Sequence, residues 1–283
     1  MIKIEGVTYK YDGREETALS DVSFQIKEGA YVGMIGPNGC GKTTLIKHLN
    51  GLLIPSEGNV WVDGLNTKEA VAVQKIRQKI GMIFQNPDNQ IVGMSVEEDI
   101  SFGPGNLELP PNEIRDRVQN ALALVGLEGY EQRPPHTLSG GEKQLVAIAG
   151  VLAMNPSYIA LDEPTSFLDP SGQKKVLEVI RRLNDQGITI VHITHDMDEI
   201  VHADRIIVMN DGEILLQENP SAVFARFEWL KALGLGTPKV TEIMWRLRQM
   251  GAEVRPDILT LDEACLELSA LIKNGNSSPC TKI

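Results

Sequence analysis

Apolar and polar residues largely alternate near the start of the chain, where they predict two strands. Apolar residues recur about every second position in residues 2–7 and again in residues 22–26. A period of two places the apolar side chains on one face of a strand. We therefore predict two half-buried strands that pair in an antiparallel sheet.

Further along the chain, short apolar runs alternate with segments of helical periodicity. Each run has the length of a buried strand, and each helical segment carries apolar side chains three or four positions apart. The predicted strands cover residues 31–35, 80–84, 158–161 and 188–193. The predicted helices cover residues 112–125 and 138–154, and a third carries Val176, Val179, Ile180 and Leu183 and stops near Gly187. Alternation of this kind indicates an α/β fold with a mostly parallel sheet that is covered on both faces.

Toward its end the chain becomes helical throughout, and we predict a small C-terminal helical domain over residues 221–283. Thr237 and Pro238 fit a capping residue followed by proline at the first helical position. Thr260 and Glu263 fit a capping box at the start of a second helix. The apolar stripes of these helices either pack on the main domain or mediate dimerisation or contact with a partner subunit.

Composition and charge narrow the range of functions. The 27 Lys and Arg against 38 Asp and Glu give a net charge of -11 over 283 residues, which is a poor match for nucleic acid. The first residues lack the apolar core of a signal peptide, and the longest apolar run, residues 145–154, is too short to span a bilayer. We therefore expect no nucleic-acid partner, and a membrane role only from the aqueous side through another protein.

Residues 36–43, Gly-Pro-Asn-Gly-Cys-Gly-Lys-Thr, match the phosphate-binding loop G-x-x-x-x-G-K-[ST]. The loop lies between a predicted strand and a helical repeat, which is the context that the motif requires. Its glycines let the backbone approach a phosphate, and the N–H groups of the loop and helix start attract the anion. We expect Lys42 to reach the β- and γ-phosphates and Thr43 to bind Mg²⁺.

Polar side chains follow the other predicted buried strands. Asp162 and Glu163 end one strand, where Asp162 is a candidate Mg²⁺ ligand and Glu163 a candidate for activating water against the γ-phosphate. His195 and Gln85 come just after two further strands. Since the carboxyl ends of parallel strands share one edge, we expect His195 at the γ-phosphate and Gln85 at Mg²⁺ or the water.

Residues 138–142, Leu-Ser-Gly-Gly-Glu, begin a predicted helix with one serine and two glycines. Such a helix start can bind a second anion, although it is also an ordinary serine cap with flexible glycines. One nucleotide has little use for two such sites in one chain. We therefore predict two chains arranged head to tail, each offering Ser139, Gly140 and Gly141 to the ATP held by the other.

Together, in this order, these stretches resemble the ATP-binding-cassette (ABC) family over about residues 1–217. The resemblance implies a P-loop NTPase core with an antiparallel β subdomain, an ATPase domain over residues 1–220 and an inserted helical subdomain at about residues 90–155. It also implies hydrolysis of ATP to ADP and phosphate with Mg²⁺, coupled to transport across a membrane. The residues that it assigns to ATP, Mg²⁺ or catalysis are Tyr11, Asn38, Gly39, Cys40, Gly41, Lys42, Thr43, Thr44, Gln85, Ser139, Gly140, Gly141, Glu142, Asp162, Glu163, Asp169 and His195.

Some of these positions leave alternatives open. Tyr11 matches the aromatic that stacks on adenine, but it can also be an ordinary strand tyrosine. Glu142 stands where the family signature usually has glutamine, and Leu145 where arginine is frequent. Cys40 replaces a frequent serine, and only its backbone N–H is needed in the loop.

A narrower resemblance rests on residues 85–90, Gln-Asn-Pro-Asp-Asn-Gln, with residues 96–103 and the C-terminal segment around residues 238–242. These are similar to the ATPase of energy-coupling-factor (ECF) transporters, which import vitamins and cobalt or nickel. The resemblance implies a second ATPase, identical or paralogous, together with a transmembrane coupling protein and a substrate-binding membrane subunit. The chain would then be a peripheral protein on the cytoplasmic face of the cell membrane.

Three alternatives remain open at this stage. The chain could be the ATPase of another ABC importer, a soluble ABC protein of DNA repair or translation, or a binding module without hydrolysis. No coiled-coil heptads lie between Lys42 and Ser139, and only one cassette is present, which disfavours the soluble classes. An intact Asp162-Glu163 pair with His195 disfavours the non-hydrolysing module.

Overall fold

Two β-sheets with different pairing directions form the body of the protein, in a computed structural model that describes residues 1–13 and 16–275. The smaller sheet is entirely antiparallel. Its strands, in spatial order, are β2 (Thr17–Ile26), β1 (Ile2–Lys10), β4 (Glu57–Val62) and β5 (Leu65–Asn66). The register places Ile2 opposite Ile26, so the alternating apolar residues share one buried face, as predicted.

The larger sheet has six strands, of which only one edge strand runs antiparallel to its neighbour. Its spatial order is β10 (Glu213–Glu218), β9 (Arg205–Asn210), β3 (Tyr31–Ile35), β8 (Thr189–Ile193), β7 (Tyr158–Asp162) and β6 (Ile80–Ile83). Strand β3 therefore lies between two strands that come about 160 residues later in the chain. The predicted mostly parallel sheet is confirmed, and the carboxyl ends of β3, β6, β7 and β8 meet at one edge.

Both faces of the larger sheet are covered, and each cover has its own apolar core. On one face, helix α1 (Lys42–Leu49) and the antiparallel sheet pack around Met34, Leu45 and Ile193. On the other face, α5 (Gly140–Leu152) and α6 (Pro170–Asp185) bury their apolar stripes against Ile35 and Ile190. Burial on this scale is worth about 1.5–3 kcal/mol for each large side chain.

Two helices in the first half of the chain were not predicted. Helix α2 (Ala70–Lys79) and helix α3 (Val96–Asn106) precede the predicted helix α4 (Pro111–Val125). Helix α3 contains Pro104 with a glycine on either side, a composition that disfavours helix. It forms because Ser95 caps its first turn and because Val96 and Ile100 are fully buried beneath it.

The C-terminal part of the described chain contains four helices. They are α7 (Pro220–Phe224), α8 (Phe227–Ala232), α9 (Lys239–Gln249) and α10 (Leu261–Gly275). Phe224 and Leu230 belong to the main core, whereas α9 and α10 enclose a small core of their own around Met244 and Ile258. The predicted domain limits stay predictions, and residues 276–283 of the predicted C-terminal domain, with Cys280, lie outside the described residues.

One predicted cap is wrong and the other is confirmed. Pro238, not Thr237, is the cap residue of α9, and the buried Thr237 hydroxyl has no hydrogen-bond partner within the described residues. At α10, the Thr260 hydroxyl accepts from the Glu263 N–H at 3.3 Å, and Glu263 accepts from the Thr260 N–H at 3.1 Å. The capping box is therefore present, and Glu263 keeps a lowered pKa because its carboxylate accepts the backbone N–H groups of Leu259 and Thr260.

The small core of α9 and α10 generates a stability prediction. Met244 is 1% exposed within it, whereas the neighbouring Ile243 is 55% exposed on the same helix. We expect Met244→Ala to destabilise this helix pair by about 2–5 kcal/mol through a cavity, and Ile243→Ala to change stability by less than about 0.5 kcal/mol. Hydrogen exchange of the α9 and α10 amides, measured with nucleotide binding, tests this expectation. Equal protection in the two variants would contradict it.

Candidate functional site

The phosphate-binding loop connects the carboxyl end of β3 to the start of α1, and its backbone leaves room only for glycine at two positions. Gly41 has φ +102°, and a Cβ there would lie 2.5 Å from the Ala18 carbonyl oxygen. A Cβ at Gly36 would lie 2.3 Å from the Met209 carbonyl oxygen. No side chain caps α1 at Gly41, so the first N–H groups of the helix remain available to an anion.

Lys42 folds back over its own loop. Its Nζ donates to the carbonyl oxygens of Gly36 at 2.7 Å and Pro37 at 2.9 Å. A cavity of about 360 Å³ opens beside it, and its lining residues are Tyr11, Glu16, Thr17, Ala18, Asn38, Gly39, Gly41, Lys42, Thr43, Thr44 and Glu163. A cationic amine and free helix N–H groups around one cavity fit a polyphosphate.

Cys40 takes part in the loop through its backbone and does not line the cavity. Its N–H donates to the Pro37 carbonyl oxygen at 3.3 Å, and its thiol is buried. Burial raises the pKa of the Cys40 thiol above its ordinary value, against the opposing effect of Lys42. The thiol is therefore a packing group, consistent with the expectation that only the backbone matters here.

Two side-chain oxygens that could bind a divalent cation lie next to this cavity. The Thr43 hydroxyl donates to Asp162 Oδ2 at 2.8 Å, and Asp162 ends strand β7 with 8% of its surface exposed. Burial raises the pKa of Asp162, while the hydrogen bond from Thr43 acts in the opposite direction. Hydroxyl and carboxylate oxygens are ligands that Mg²⁺ prefers, so the residues present fit this ion.

Glu163 is the centre of a cluster that joins three strand ends. His195 Nε2 lies 2.8 Å from Glu163 Oε1, and Gln85 Nε2 donates to Oε2 at 3.0 Å. Ser166, which was not among the predicted site residues, also donates to Oε2, at 2.9 Å. Gln85, Glu163 and His195 are thus together, as the parallel strand order predicted. The Gln85 amide contacts Glu163 here, and its expected contact with Mg²⁺ stays a prediction.

The backbone of Glu163 is itself unusual. Its φ is +50°, a conformation that is rare for a residue with a side chain and costs of the order of 1 kcal/mol. The Glu163 N–H donates to the Ile193 carbonyl oxygen at 2.9 Å, which fixes this turn against strand β8. The neighbouring strand thus holds the carboxylate in place, toward the cavity that it shares with Lys42.

Tyr11 stands at the mouth of the same cavity. Its hydroxyl lies 3.1 Å from the Thr44 hydroxyl, and its ring meets the ring of Tyr9 edge to face with centroids 5.0 Å apart. This position makes an aromatic wall beside the phosphate-binding loop. Whether adenine stacks on Tyr11 stays a prediction.

The serine-glycine segment forms a separate site. Ser139 caps α5 by accepting from the Glu142 N–H at 3.3 Å, and Glu142 accepts from the Ser139 N–H at 2.8 Å. The hydrogen bond from the Ser139 N–H has the largest effect on the pKa of Glu142, followed by the bond from the Tyr130 hydroxyl. Together they hold this pKa below its ordinary value. The carboxylate that replaces the usual glutamine is therefore occupied in closing the helix start.

Helix α5 approaches α6 closely at this site. A Cβ at Gly141 would lie 2.9 Å from the Cα of Gly172, so glycine permits the contact. Asp169 caps α6 by accepting from the Gly172 N–H at 3.2 Å. Ser139, Gly141, Glu142 and Asp169 line a second cavity of about 460 Å³, which shares no lining residue with the cavity at Lys42. Within one chain the structure does not bring the two predicted anion sites together.

Comparisons with known proteins agree on one family. The profile of the family described as ABC transporter matches residues 19–166. The cobalt import ATP-binding protein CbiO of Syntrophus aciditrophicus is 53% identical over 270 residues, which are 95% of this chain and 96% of that protein. The energy-coupling factor transporter ATP-binding protein EcfA1 of Caldanaerobacter subterraneus is 49% identical over 93% of this chain and 96% of its own length.

Solved structures lead to the same family. The structure of cbiO1 from Clostridium perfringens, described as part of the ABC transporter complex cbiONQ, has a TM-score of 0.75 and 39% identity, covering 88% of this chain and 96% of that one. A dimeric structure of the ATP-binding cassette MJ0796 with ADP and Pi has a TM-score of 0.69 and 35% identity, covering 77% of this chain and 98% of that one.

In the described part of this chain, no helix is long and apolar enough to cross a bilayer.

Proposed function

The chain belongs to the ABC transporter family, in its energy-coupling-factor group, and from this premise we propose how its residues turn ATP hydrolysis into work on a membrane importer. It is an ATPase that powers an ECF-type importer of vitamins or transition-metal ions. The observation that carries the proposed mechanism is the Glu163 cluster, in which side chains from three strand ends converge on one carboxylate. Which cargo is imported is set by the membrane subunit and not by this chain.

The proposed binding mode uses groups that already face the first cavity. Lys42 exchanges the carbonyl oxygens of its own loop for the β- and γ-phosphate oxygens, while the N–H groups at the start of α1 hold the same phosphates. Thr43 and Asp162 hold Mg²⁺, directly or through water. When bound, Mg²⁺ neutralises charge that develops on the phosphate oxygens in the transition state.

The proposed chemistry depends on Glu163 and its partners. Glu163 orients a water molecule in line with the γ-phosphate and accepts its proton, while the bond between the γ-phosphorus and the bridging oxygen breaks and ADP leaves. Gln85 and His195 hold the carboxylate and the transferred γ-phosphoryl group in position. In phosphoryl transfer the protein contributes mainly such positioning and the stabilisation of charge in the transition state. An exchange of carboxylate for amide at this position should therefore affect turnover much more than binding.

We expect Glu163→Gln to retain ATP binding and to lose at least about 100-fold in the rate of hydrolysis, because the amide cannot accept the proton. The variant should also accumulate as an ATP-bound dimer. Steady-state phosphate release, beside equilibrium binding of a fluorescent ATP analogue, measures both quantities. Near wild-type turnover in the variant would remove Glu163 from this role.

The separate Ser139 site supports a head-to-tail pair of cassettes. The start of α5 offers backbone N–H groups and the Ser139 hydroxyl, but they are remote from the cavity at Lys42 in the same chain. We propose that each chain supplies this helix start, with Asp169 beside it, to the γ-phosphate held by Lys42 of a second chain. The second chain is either identical or a paralogue.

Ser139→Arg tests this arrangement by placing a bulky cation where a phosphate would approach the helix start. On a Glu163→Gln background we expect ATP to bind with unchanged affinity while ATP-induced dimerisation, followed by light scattering, disappears. Ser139→Ala is the size control: it removes the hydroxyl and the cap, at a cost of about 0.5–2 kcal/mol in helix stability, without adding bulk or charge. The backbone N–H groups remain, so it should weaken dimerisation less than Ser139→Arg. Normal dimerisation of the arginine variant would contradict the head-to-tail proposal.

A second surface fits a membrane partner. The segment that follows Gln85 leaves Val92, Met94 and Phe102 exposed among the acidic residues Asp88 and Glu97. Exposed apolar side chains within an acidic rim match a short arginine-bearing helix. We propose that a transmembrane coupling protein, which also holds the substrate-binding membrane subunit, docks here from the membrane, so that the chain lies on the cytoplasmic face.

Asp88 is not free on this surface, which affects the test. The Lys143 Nζ of α5 lies 2.7 Å from Asp88 Oδ1, and this ion pair links the segment after Gln85 to helix α5. Because Asp88 is 62% exposed, this pair contributes little to stability. A change at Asp88 can therefore act either on the docked partner or on the link to α5, and the two effects need separate variants.

We expect Asp88→Arg to leave ATP affinity and basal hydrolysis of the free subunit within about two-fold, and to abolish substrate uptake in reconstituted vesicles. Lys143→Ala breaks the same ion pair without reversing the charge of the surface, and it should retain most of the uptake. Full uptake with Asp88→Arg would exclude Asp88 from the docking surface. Equal loss in both variants would indicate the internal link. Subunits that co-purify from membranes identify the membrane partners.

The exposed side of the C-terminal helices is the proposed contact between the two ATPase chains. Ile243, Leu261, Leu266 and Ile272 remain exposed on α9 and α10 although these helices have a core of their own. A contact of this kind would hold the chains together when the cassettes are apart.

A further inference from the structure

A buried carboxylate, Glu199, lies behind the site and connects the two loops that carry Glu163 and His195. It belongs to a short 3₁₀ turn, Met197–Ile200, and is only 4% exposed. None of the roles proposed above uses it. A buried carboxylate is costly unless several hydrogen bonds satisfy it, so its contacts indicate what it is for.

Each oxygen of Glu199 accepts a hydrogen bond from a different loop. Thr165, two residues after Glu163, donates its hydroxyl to Oε1, and Thr194, directly before His195, donates to Oε2 at 2.6 Å. Both threonines are 3% exposed, so water does not compete for these contacts. One side chain thereby joins the segment after β7 to the segment after β8.

The carboxylate is supported from behind by the central strands. His192 Nε2 lies 3.3 Å from Oε2, and the His192 Nδ1 lies 2.8 Å from the Tyr31 hydroxyl. A tautomer with the proton on Nε2 lets His192 accept from Tyr31 and face the carboxylate with its N–H. Tyr31 belongs to β3, the strand that leads into the phosphate-binding loop. The network therefore spans β3, β8 and the end of β7.

The charge of Glu199 is maintained in this position. Burial acts to raise the pKa of its carboxyl, but His192 and the hydroxyls of Thr165 and Thr194 outweigh burial and hold the pKa below its ordinary value. An ionised carboxylate accepts hydrogen bonds at both oxygens, which a protonated acid or an amide cannot do equally well. The position therefore requires glutamate rather than any polar residue of similar size.

We propose that Glu199 is a positioning residue for hydrolysis: it fixes the separation and orientation of the loops that carry Glu163 and His195. Among the described residues, the Glu199 side chain bonds to Thr165 and Thr194 and faces His192, and it has no hydrogen bond to the phosphate-binding loop or to Asp162. We therefore expect nucleotide binding to depend on it much less than turnover does. A cavity of about 450 Å³ that opens at Glu163 and His195 has Thr165, Thr194 and Glu199 among its lining residues, which places the network directly beneath the reacting groups. This inference rests on the proposed roles of Glu163 and His195.

The test separates positioning from general support of the core by comparing kcat with KM. We expect Glu199→Gln to lower kcat about 10-fold and Glu199→Ala about 100-fold, with KM for ATP within about two-fold of wild type, since small displacements of reacting groups affect turnover more than binding. Thr165→Val conserves shape and removes one of the two contacts, so it should reduce kcat as Glu199→Gln does. It also keeps the test valid if Glu199→Ala does not fold.

Thr189→Val is the matched control, because it removes a buried hydroxyl at the other end of β8, where that hydroxyl accepts from the Gly29 N–H at 2.9 Å. It should lower the melting temperature while kcat stays within about two-fold. Wild-type kcat in folded Glu199→Gln, or a fall in kcat that follows the loss of melting temperature equally in Thr189→Val, would overturn the inference. If Glu163→Gln stops turnover while Glu199→Gln does not, only this inference fails; turnover in Glu163→Gln would instead overturn the proposed function.

Discussion

A phosphate at this site must accept hydrogen bonds from backbone N–H groups, and the rest of the structure depends on that requirement. The groups are available only because β3 leads into a loop with glycine at Gly36 and Gly41, where a Cβ would lie 2.3–2.5 Å from a neighbouring carbonyl oxygen. The loop is held by the strands on either side of β3. The same parallel arrangement brings Gln85, Asp162 and His195 to the edge where the loop lies.

The site contains several carboxylates, although the triphosphate that it would bind is itself negatively charged. Glu163 lines the cavity at Lys42 and Asp162 lies beside it, bonded to Thr43, while Glu142 and Asp169 line the second cavity. Each carboxylate has a local partner: His195, Thr43, the Ser139 N–H and the Gly172 N–H, respectively. These partners limit repulsion between the carboxylates and an incoming phosphate, and they make the acids part of the rigid frame.

Features that depend on neighbouring residues in the chain could be predicted from the sequence, whereas most side-chain contacts between distant residues could not. The buried strands, the phosphate-binding loop and the cap at Thr260 follow from local patterns, and the shared edge follows from parallel strand order. Helix α3 was missed because burial of Val96 and Ile100 outweighs the poor helix propensity of its proline and glycines. Thr237 was misjudged because α9 begins one residue later than expected, so Pro238 takes the cap position.

The contacts of Ser166 and Glu199 illustrate the same limit within the site. Ser166 reaches Glu163 through a local turn, and a serine three residues after the glutamate was the available signal. Glu199 joins loops that are about 30 residues apart in the chain, and only the parallel pairing of β7 with β8 brings them together. Nothing in the local sequence distinguishes it from the exposed acids around it.

The position of β3 between β8 and β9 also has a consequence for the synthesis of the chain. The strand that leads into the phosphate-binding loop is made early, yet both of its neighbours come from residues 189–210. At typical elongation rates, roughly 10–35 s separate the appearance of residue 35 from that of residue 210. During this interval the loop has no strand on either side to hold its shape. Nucleotide can therefore stabilise the nascent protein only after β9 has emerged, late in translation.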